Sequence, residues 1–116
     1  MKKQTPESEL LHLCLDYLAA ERIFSLRMNT GVASYGERRV AFGIPGTADV
    51  LAFPKFKSTD GVHIVVMTFI IPLWLEFKAG KGKQSELQKS FQSKVEGENH
   101  KYAVIRSLED LKAALA

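Results

Sequence analysis

The chain is poor in the features that mark many protein classes. Its single cysteine, Cys14, cannot form an internal disulfide, so nothing argues for an oxidising compartment and an intracellular, cytoplasmic protein is the expectation. His12, His63 and His100 are scattered and have no cysteine partners at zinc-ligand spacing, so no zinc site is expected. Long apolar runs are also missing. The most apolar stretch, IVVMTFIIPLWL from Ile64 to Leu75, falls short of the roughly 20 residues of a membrane helix and contains Pro72. The N-terminus MKKQTPESELL lacks the apolar segment of a signal peptide. There is no internal repeat, low-complexity segment or Pro/Ser-rich linker.

What remains is an ordinary globular composition. The 116 residues are 46% hydrophobic and 25% charged, enough for one domain spanning 1–116. At that size folding buries roughly two-thirds of the exposed surface, and no structural metal is needed. Net charge is +3, a mild excess that suits a polyanionic partner.

Thr5 and Pro6 form a helix start, and Leu10, Leu11, Cys14, Tyr17 and Leu18 continue at helical spacing to about Glu21. Ser25 to Met28 is a short strand candidate. NTGVASYGERR reads as turn-rich, followed by a strand from Arg39 to Phe42, and GIPGTAD reads as a tight loop. Val50 to Phe53 is a strand, and STDG is a turn into the long apolar run. That run, apolar at consecutive positions, predicts strand buried on both faces at the centre of a sheet, with a bulge or break at Pro72. After the AGKGK loop, Ser85 caps a second helix carrying Leu87, Phe91 and Val95 that ends near Gly97. Tyr102 to Ile105 is a last strand and Leu108 to Leu115 a last helix. This order predicts an α/β sandwich with helices packed on a central mixed sheet.

The stretch LWLEFKAGKGKQSELQ raises the functional question. On a strand, Trp74, Glu76 and Lys78 share one face and Leu73, Leu75 and Phe77 the other. An ion pair between Glu76 and Lys78 would account for charges at the end of an apolar strand. Asp49, at the start of another strand, suggests more. Alone it reads as a turn carboxylate bonding to backbone amides. Converging on Glu76 from a neighbouring strand, with the carbonyl of Phe77 between them, it would complete an oxygen-rich half-shell of the kind Mg²⁺ prefers. Lys78 would then face a scissile phosphate.

These residues resemble a family. The stretches ESELLHLCLDYL, LRMNTG, FGIPGTADVLAF, LWLEFKAGKGKQSELQKSF and YAVIRSLEDL, in that order, are similar to the virus-type replication-repair nuclease (VRR-Nuc) domain of the PD-(D/E)xK nuclease superfamily, over nearly the whole chain. The resemblance implies a restriction-endonuclease-like α/β/α sandwich and an Mg²⁺- or Mn²⁺-dependent DNA endonuclease acting on branched DNA such as four-way junctions. It implies Asp49 and Glu76 as metal ligands, Lys78 as the catalytic lysine, and Gln88 as the glutamine that orients the lysine or water. It also implies a glutamate on the first helix. Glu7 and Glu9 compete for that place, and helix geometry favours Glu7, because steps of four, seven and eleven from it reach Leu11, Cys14 and Leu18. An acid near a helix N-terminus is also favoured by the dipole alone. Ala48 stands where the family has the proline of its Pro-Asp pair. A phage origin, with the host cytoplasm as location, is compatible with the resemblance.

AGKGK is not a phosphate loop of the Walker type: Phe77 and Gln84 stand where that motif needs glycine and Ser or Thr, so no nucleotide cofactor is expected. Lys81 and Lys83 read as contacts to nucleic-acid phosphates, and Lys89 and Lys94 either extend that surface or form a solvated helix face. Arg27, Asn29, Arg38 and Arg39 flank the glycine-containing loop and suggest a DNA-contacting segment, where Tyr35 could stack on a base. Trp74 and Cys14 read as core. Cutting two strands symmetrically needs two active sites, and this domain offers one, so a homodimer is expected. Two other classes stay open: a nucleic-acid-binding module on the nuclease fold without hydrolysis, and a protein-interaction domain whose Glu76 and Lys78 are only an ion pair.

Overall fold

The structure is a computed structural model that describes residues 5–28, 31–59, 61–62 and 67–116, with the backbone alone described at 31–35 and 39–42. In chain order the elements are α1 (Pro6–Ala20), β1 (Ser25–Arg27), β2 (Gly31–Tyr35), β3 (Arg38–Phe42), β4 (Val50–Ala52) and β5 (Lys55–Ser58). They continue with β6 (Met67–Ile70), β7 (Leu73–Phe77), α2 (Glu86–Gly97), β8 (Lys101–Ile105) and α3 (Leu108–Leu115). The fold is mixed α/β, with a four-stranded sheet in the order β1-β4-β7-β8. The first three strands pair antiparallel, whereas β7 and β8 are parallel and joined through α2. A parallel pair needs such a crossover.

Local chemistry fixes the helix ends. The Ser8 amide donates to Thr5 Oγ1 at 3.1 Å, and Pro6 occupies the first turn, where a missing amide costs nothing. At α2 the Gln88 amide donates to Ser85 Oγ at 3.2 Å while the Gln88 side chain accepts from the Ser85 amide at 2.8 Å, a reciprocal capping box.

Alternation along the strands then separates two cores. Val50, Ala52, Leu73, Leu75, Phe77 and Ile105 meet Leu11, Cys14 and Leu18 of α1 and Leu111 of α3 on one face. On the other face Phe91 and Val95 of α2 pack with Ala48, Trp74 and Tyr102. The Trp74 ring stands edge-on to Phe91 at 4.9 Å between centroids, and its indole N–H donates to His100 Nδ1 at 2.9 Å. At about 1.5–3 kcal/mol for each large buried apolar side chain, these two layers hold β7 from both sides.

Three expectations need correction. The turn-rich reading of the stretch after Arg27 fails at Gly31–Tyr35, which is strand β2, paired antiparallel with β3. Among the described residues of that stretch the turn lies at Gly36 and Glu37, with Gly36 at φ +65°, a conformation glycine adopts without Cβ strain. The apolar run is not one buried strand. Pro72, which has no amide to donate, separates β7 from β6, and Met67–Ile70 pairs with β5 in its own two-stranded sheet with its side chains exposed. Ile64 to Val66 lie outside the described residues. Leu87, expected on the packed stripe of α2, is exposed, because the stripe that meets the sheet is carried by Phe91 and Val95. Among the described residues no helix is long and apolar enough to cross a membrane.

Candidate active site

The central strand places the acids. Val50 pairs with Leu75 and Leu51 with Trp74, so one further step of the antiparallel register sets Asp49 opposite Glu76. Asp49 is held there, because its Oδ2 accepts the Phe77 amide at 2.8 Å and its carbonyl accepts the Met28 amide at 2.8 Å. Phe77 therefore meets the site through its amide, which anchors Asp49. The loop before Asp49 is fixed by contact with α2. Ala48 is buried against Phe91 and Val95, and Gly46, at φ +85°, lies so close that a Cβ there would stand 2.4 Å from the Leu87 carbonyl oxygen. The loop thus has a defined seat.

Glu76 is only 2% exposed. Its Oε1 accepts the Gln88 side-chain amide at 2.7 Å and lies 3.9 Å from Lys78 Nζ, a loose ion pair. Gln88 is therefore committed to Glu76 and to the Ser85 cap, and it orients the carboxylate rather than the lysine. Among the described residues Glu76 Oε2, which is buried, has no hydrogen-bond partner. Burial pushes the Glu76 carboxyl up to about 8, the Asp49 carboxylate and then Glu7 add to the rise, and Lys78 opposes it. Without added positive charge, Glu76 is protonated at neutral pH.

An orphaned, buried carboxylate oxygen beside a second carboxylate is chemistry that a divalent cation satisfies. The donor set of Asp49, Glu76 and a backbone carbonyl fits a hard, oxygen-seeking ion that keeps several waters. Among the described residues no three His, Cys, Asp or Glu side chains form a group that could hold a metal ion. Glu7 therefore does not join Asp49 and Glu76 in such a group. It is exposed, and it lines a cleft of about 230 Å³ with Ser8, Arg27, Asp49 and Phe77. Glu9 is absent from that cleft's lining. The two most voluminous hollows among the described residues, of about 550 and 600 Å³, lie near the opposite end of the sheet around Phe24 and Phe53 and around Leu73 and His100. Neither contains the acid pair.

Arg27 borders the cleft, and Lys81 and Lys83 are exposed on the loop following Lys78. Arg38 is exposed at the start of β3 and does not line the cleft, while the side chains of Arg39 and Tyr35, and all of Asn29, lie outside the described residues. Lys89 pairs with Glu86 at 3.3 Å, and Lys94 is exposed. Sequence reasoning missed a half-buried polar tether beside the site. The Gln84 side-chain amide donates to Gln92 Oε1 and to the Tyr102 hydroxyl, each at 3.0 Å, tying the end of the lysine loop to α2 and β8. Burial pushes Tyr102 up to about 12, so the hydroxyl stays neutral. No spacing rule signals such a tether, because its three members are brought together only by the crossover. No family model, no curated protein and no solved structure matches the chain.

Proposed function

We propose that the chain is a metal-dependent DNA endonuclease of the PD-(D/E)xK type, with a restriction-endonuclease-like sandwich, acting on branched DNA such as four-way junctions. The observation that carries this reading is the buried Glu76 Oε2, unpartnered among the described residues, beside Asp49 and with Lys78 at the rim. Burying one of two adjacent acids with an unfilled oxygen opposes folding, and a cation-binding role accounts for it.

Asp49 and Glu76 would hold Mg²⁺ or Mn²⁺, which supplies Lewis-acid polarisation of a phosphoryl oxygen. The chain's own groups do the rest. Phe77 N–H and Gln88 Nε2 hold the two carboxylates in place. Lys78, its side chain 17% exposed, reaches from the buried pair toward solvent, where its ammonium can position an attacking water and offset charge on the phosphate. Hydrolysis forms a bond from water oxygen to phosphorus and breaks the phosphorus bond to the leaving oxygen, which takes up a proton. Glu7 and Arg27 border the cleft through which substrate approaches. Lys81 and Lys83 contact backbone phosphates, and two copies of the chain supply the two sites that symmetric cutting requires.

The test is cleavage of a labelled panel of four-way junction, flap, splayed arm, duplex and single strand in Mg²⁺, Mn²⁺ or EDTA, by wild type, Glu76→Ala and Lys78→Ala. Cutting that needs metal and disappears in both variants, with DNA binding retained, is the expected result. Binding without cutting under every metal would replace the enzyme by a non-catalytic binding module. Sedimentation at micromolar concentration, with and without DNA, tests the homodimer, and monomer under both conditions refutes it.

A further inference from the structure

The parallel pairing of β7 with β8 has a chemical result at its C-terminal end. Phe77 is in register with Ile105 and Glu76 with Val104, and the Lys78 amide donates to the Ile105 carbonyl at 3.1 Å. The next residue of each strand is Lys78 on one and Arg106 on the other. Lys78 and Arg106 therefore leave the two paired strands at the same end of the sheet.

Arg106 is exposed and firmly mounted. Its backbone amide donates to Asp110 Oδ2 at 2.9 Å, and the Asp110 amide donates to Ser107 Oγ at 3.2 Å, so the start of α3 fixes its main chain. Its guanidinium Nη1 donates to the Gly80 carbonyl at 2.9 Å. That bond sets it against the loop of Lys81 and Lys83, which is closed by a 3.1 Å bond from the Gly82 amide to the Ala79 carbonyl. Among the described residues the guanidinium has no carboxylate partner and no second acceptor. Asp110 accepts the Arg106 backbone amide, and Glu109 pairs with Lys112 at 3.6 Å. Four cations therefore sit on one loop and one adjoining strand end, and the Gly80 bond leaves most of the five guanidinium N–H donors open. Like charges so arranged repel one another, and a polyanion relieves them.

We propose that Arg106 binds a backbone phosphate of the nucleic acid, forming with Lys81 and Lys83 the phosphate-gripping edge next to Lys78. The planar fork of arginine suits two-point contact with phosphate oxygens, and the Gly80 bond pre-orients it. This inference rests on the nuclease reading above.

Its test is DNA binding in EDTA, where nothing is cut, by fluorescence anisotropy with a labelled four-way junction and a labelled duplex across a salt series. One phosphate contact contributes about 0.9 to the slope of log affinity against log salt. Arg106→Gln should flatten the slope by that amount and weaken binding roughly eight-fold at 0.1 M salt, and Arg106→Lys should keep the slope. Lys112→Gln, a change on the outer side of α3, should match wild type. A second measurement needs no variant: bound DNA should protect Arg106 of the wild-type protein from phenylglyoxal, read by mass spectrometry. Wild type that binds, with an unchanged slope in Arg106→Gln and no protection, overturns the role of Arg106 alone. Wild type that binds none of the probes overturns the nuclease reading together with this inference.

Discussion

Replacing Glu76 by glutamine should make the protein more stable at alkaline pH while abolishing the proposed activity. In the folded chain burial and the neighbouring Asp49 raise the Glu76 carboxyl from 4.5 to about 8. An acid raised in this way binds its proton more tightly folded than unfolded. The contribution of Glu76 to stability is therefore fully present below about pH 4.5, falls as pH rises through the window from there to about 8, and is level above it. At about 1.36 kcal/mol per pH unit the wild type loses about 3–5 kcal/mol across the window, much of the stability of a small domain. The glutamine of the Glu76→Gln variant cannot ionise. Its carbonyl can still accept the Gln88 amide, and its NH₂ takes the place of the protonated oxygen beside Asp49. Urea unfolding in EDTA from pH 5 to 9 should show the two proteins close at pH 5 and the variant ahead by about 3–5 kcal/mol at pH 8.5. Manganese should restore much of that difference to wild type and leave the variant unmoved. Parallel stability curves for the two proteins, with no divergence above pH 6, would refute the claim that Glu76 is buried at a cost.

Two further substitutions probe the scaffold. Gly46→Ala places a Cβ 2.4 Å from the Leu87 carbonyl oxygen at φ +85°, so it should cost about 3 kcal/mol in thermal or urea unfolding and loosen the seat of Asp49. An unchanged midpoint would mean that the loop is not pressed against α2. Gln88→Ala removes the donor to Glu76 and half of the α2 capping box, and should lower Mn²⁺ affinity about 10–100-fold by calorimetry while costing about 1 kcal/mol of stability. Unaltered Mn²⁺ affinity would remove Gln88 from the site.

The α helices were legible because their ends carry strong local chemistry. Thr5 before Pro6 and Ser85 three residues before Gln88 act on amides within one turn, so their effect does not wait for tertiary contacts. The split of Leu73, Leu75 and Phe77 from Trp74 and Glu76 was legible for the same reason, as strand alternation is geometric. The two hairpins were not. Met67, Phe69 and Ile70 have the composition of a buried strand but are exposed, and only the partner strand β5 shows where they belong. Within the site, the sequence pointed to Asp49, Glu76 and Lys78 but not to the target of Gln88, which depends on how α2 lies over β7. The pairing of Arg106 with Gly80 joins residues far apart in sequence through the parallel register, and no motif encodes it.

The antiparallel step between β4 and β7 sets the order in which the site can come into being. Glu76, Lys78, Gln88 and Arg106 all belong to β7, α2, β8 and the turns that follow the strands, whereas Asp49 arrives with β4. A chain with that unit formed but β4 undocked holds only one of the two acids and cannot present the pair. On the nuclease reading, cation capture is therefore a report on completion of the sheet. A partly folded chain would lack its second ligand and be unable to nick DNA until the strand that carries Asp49 has found its register.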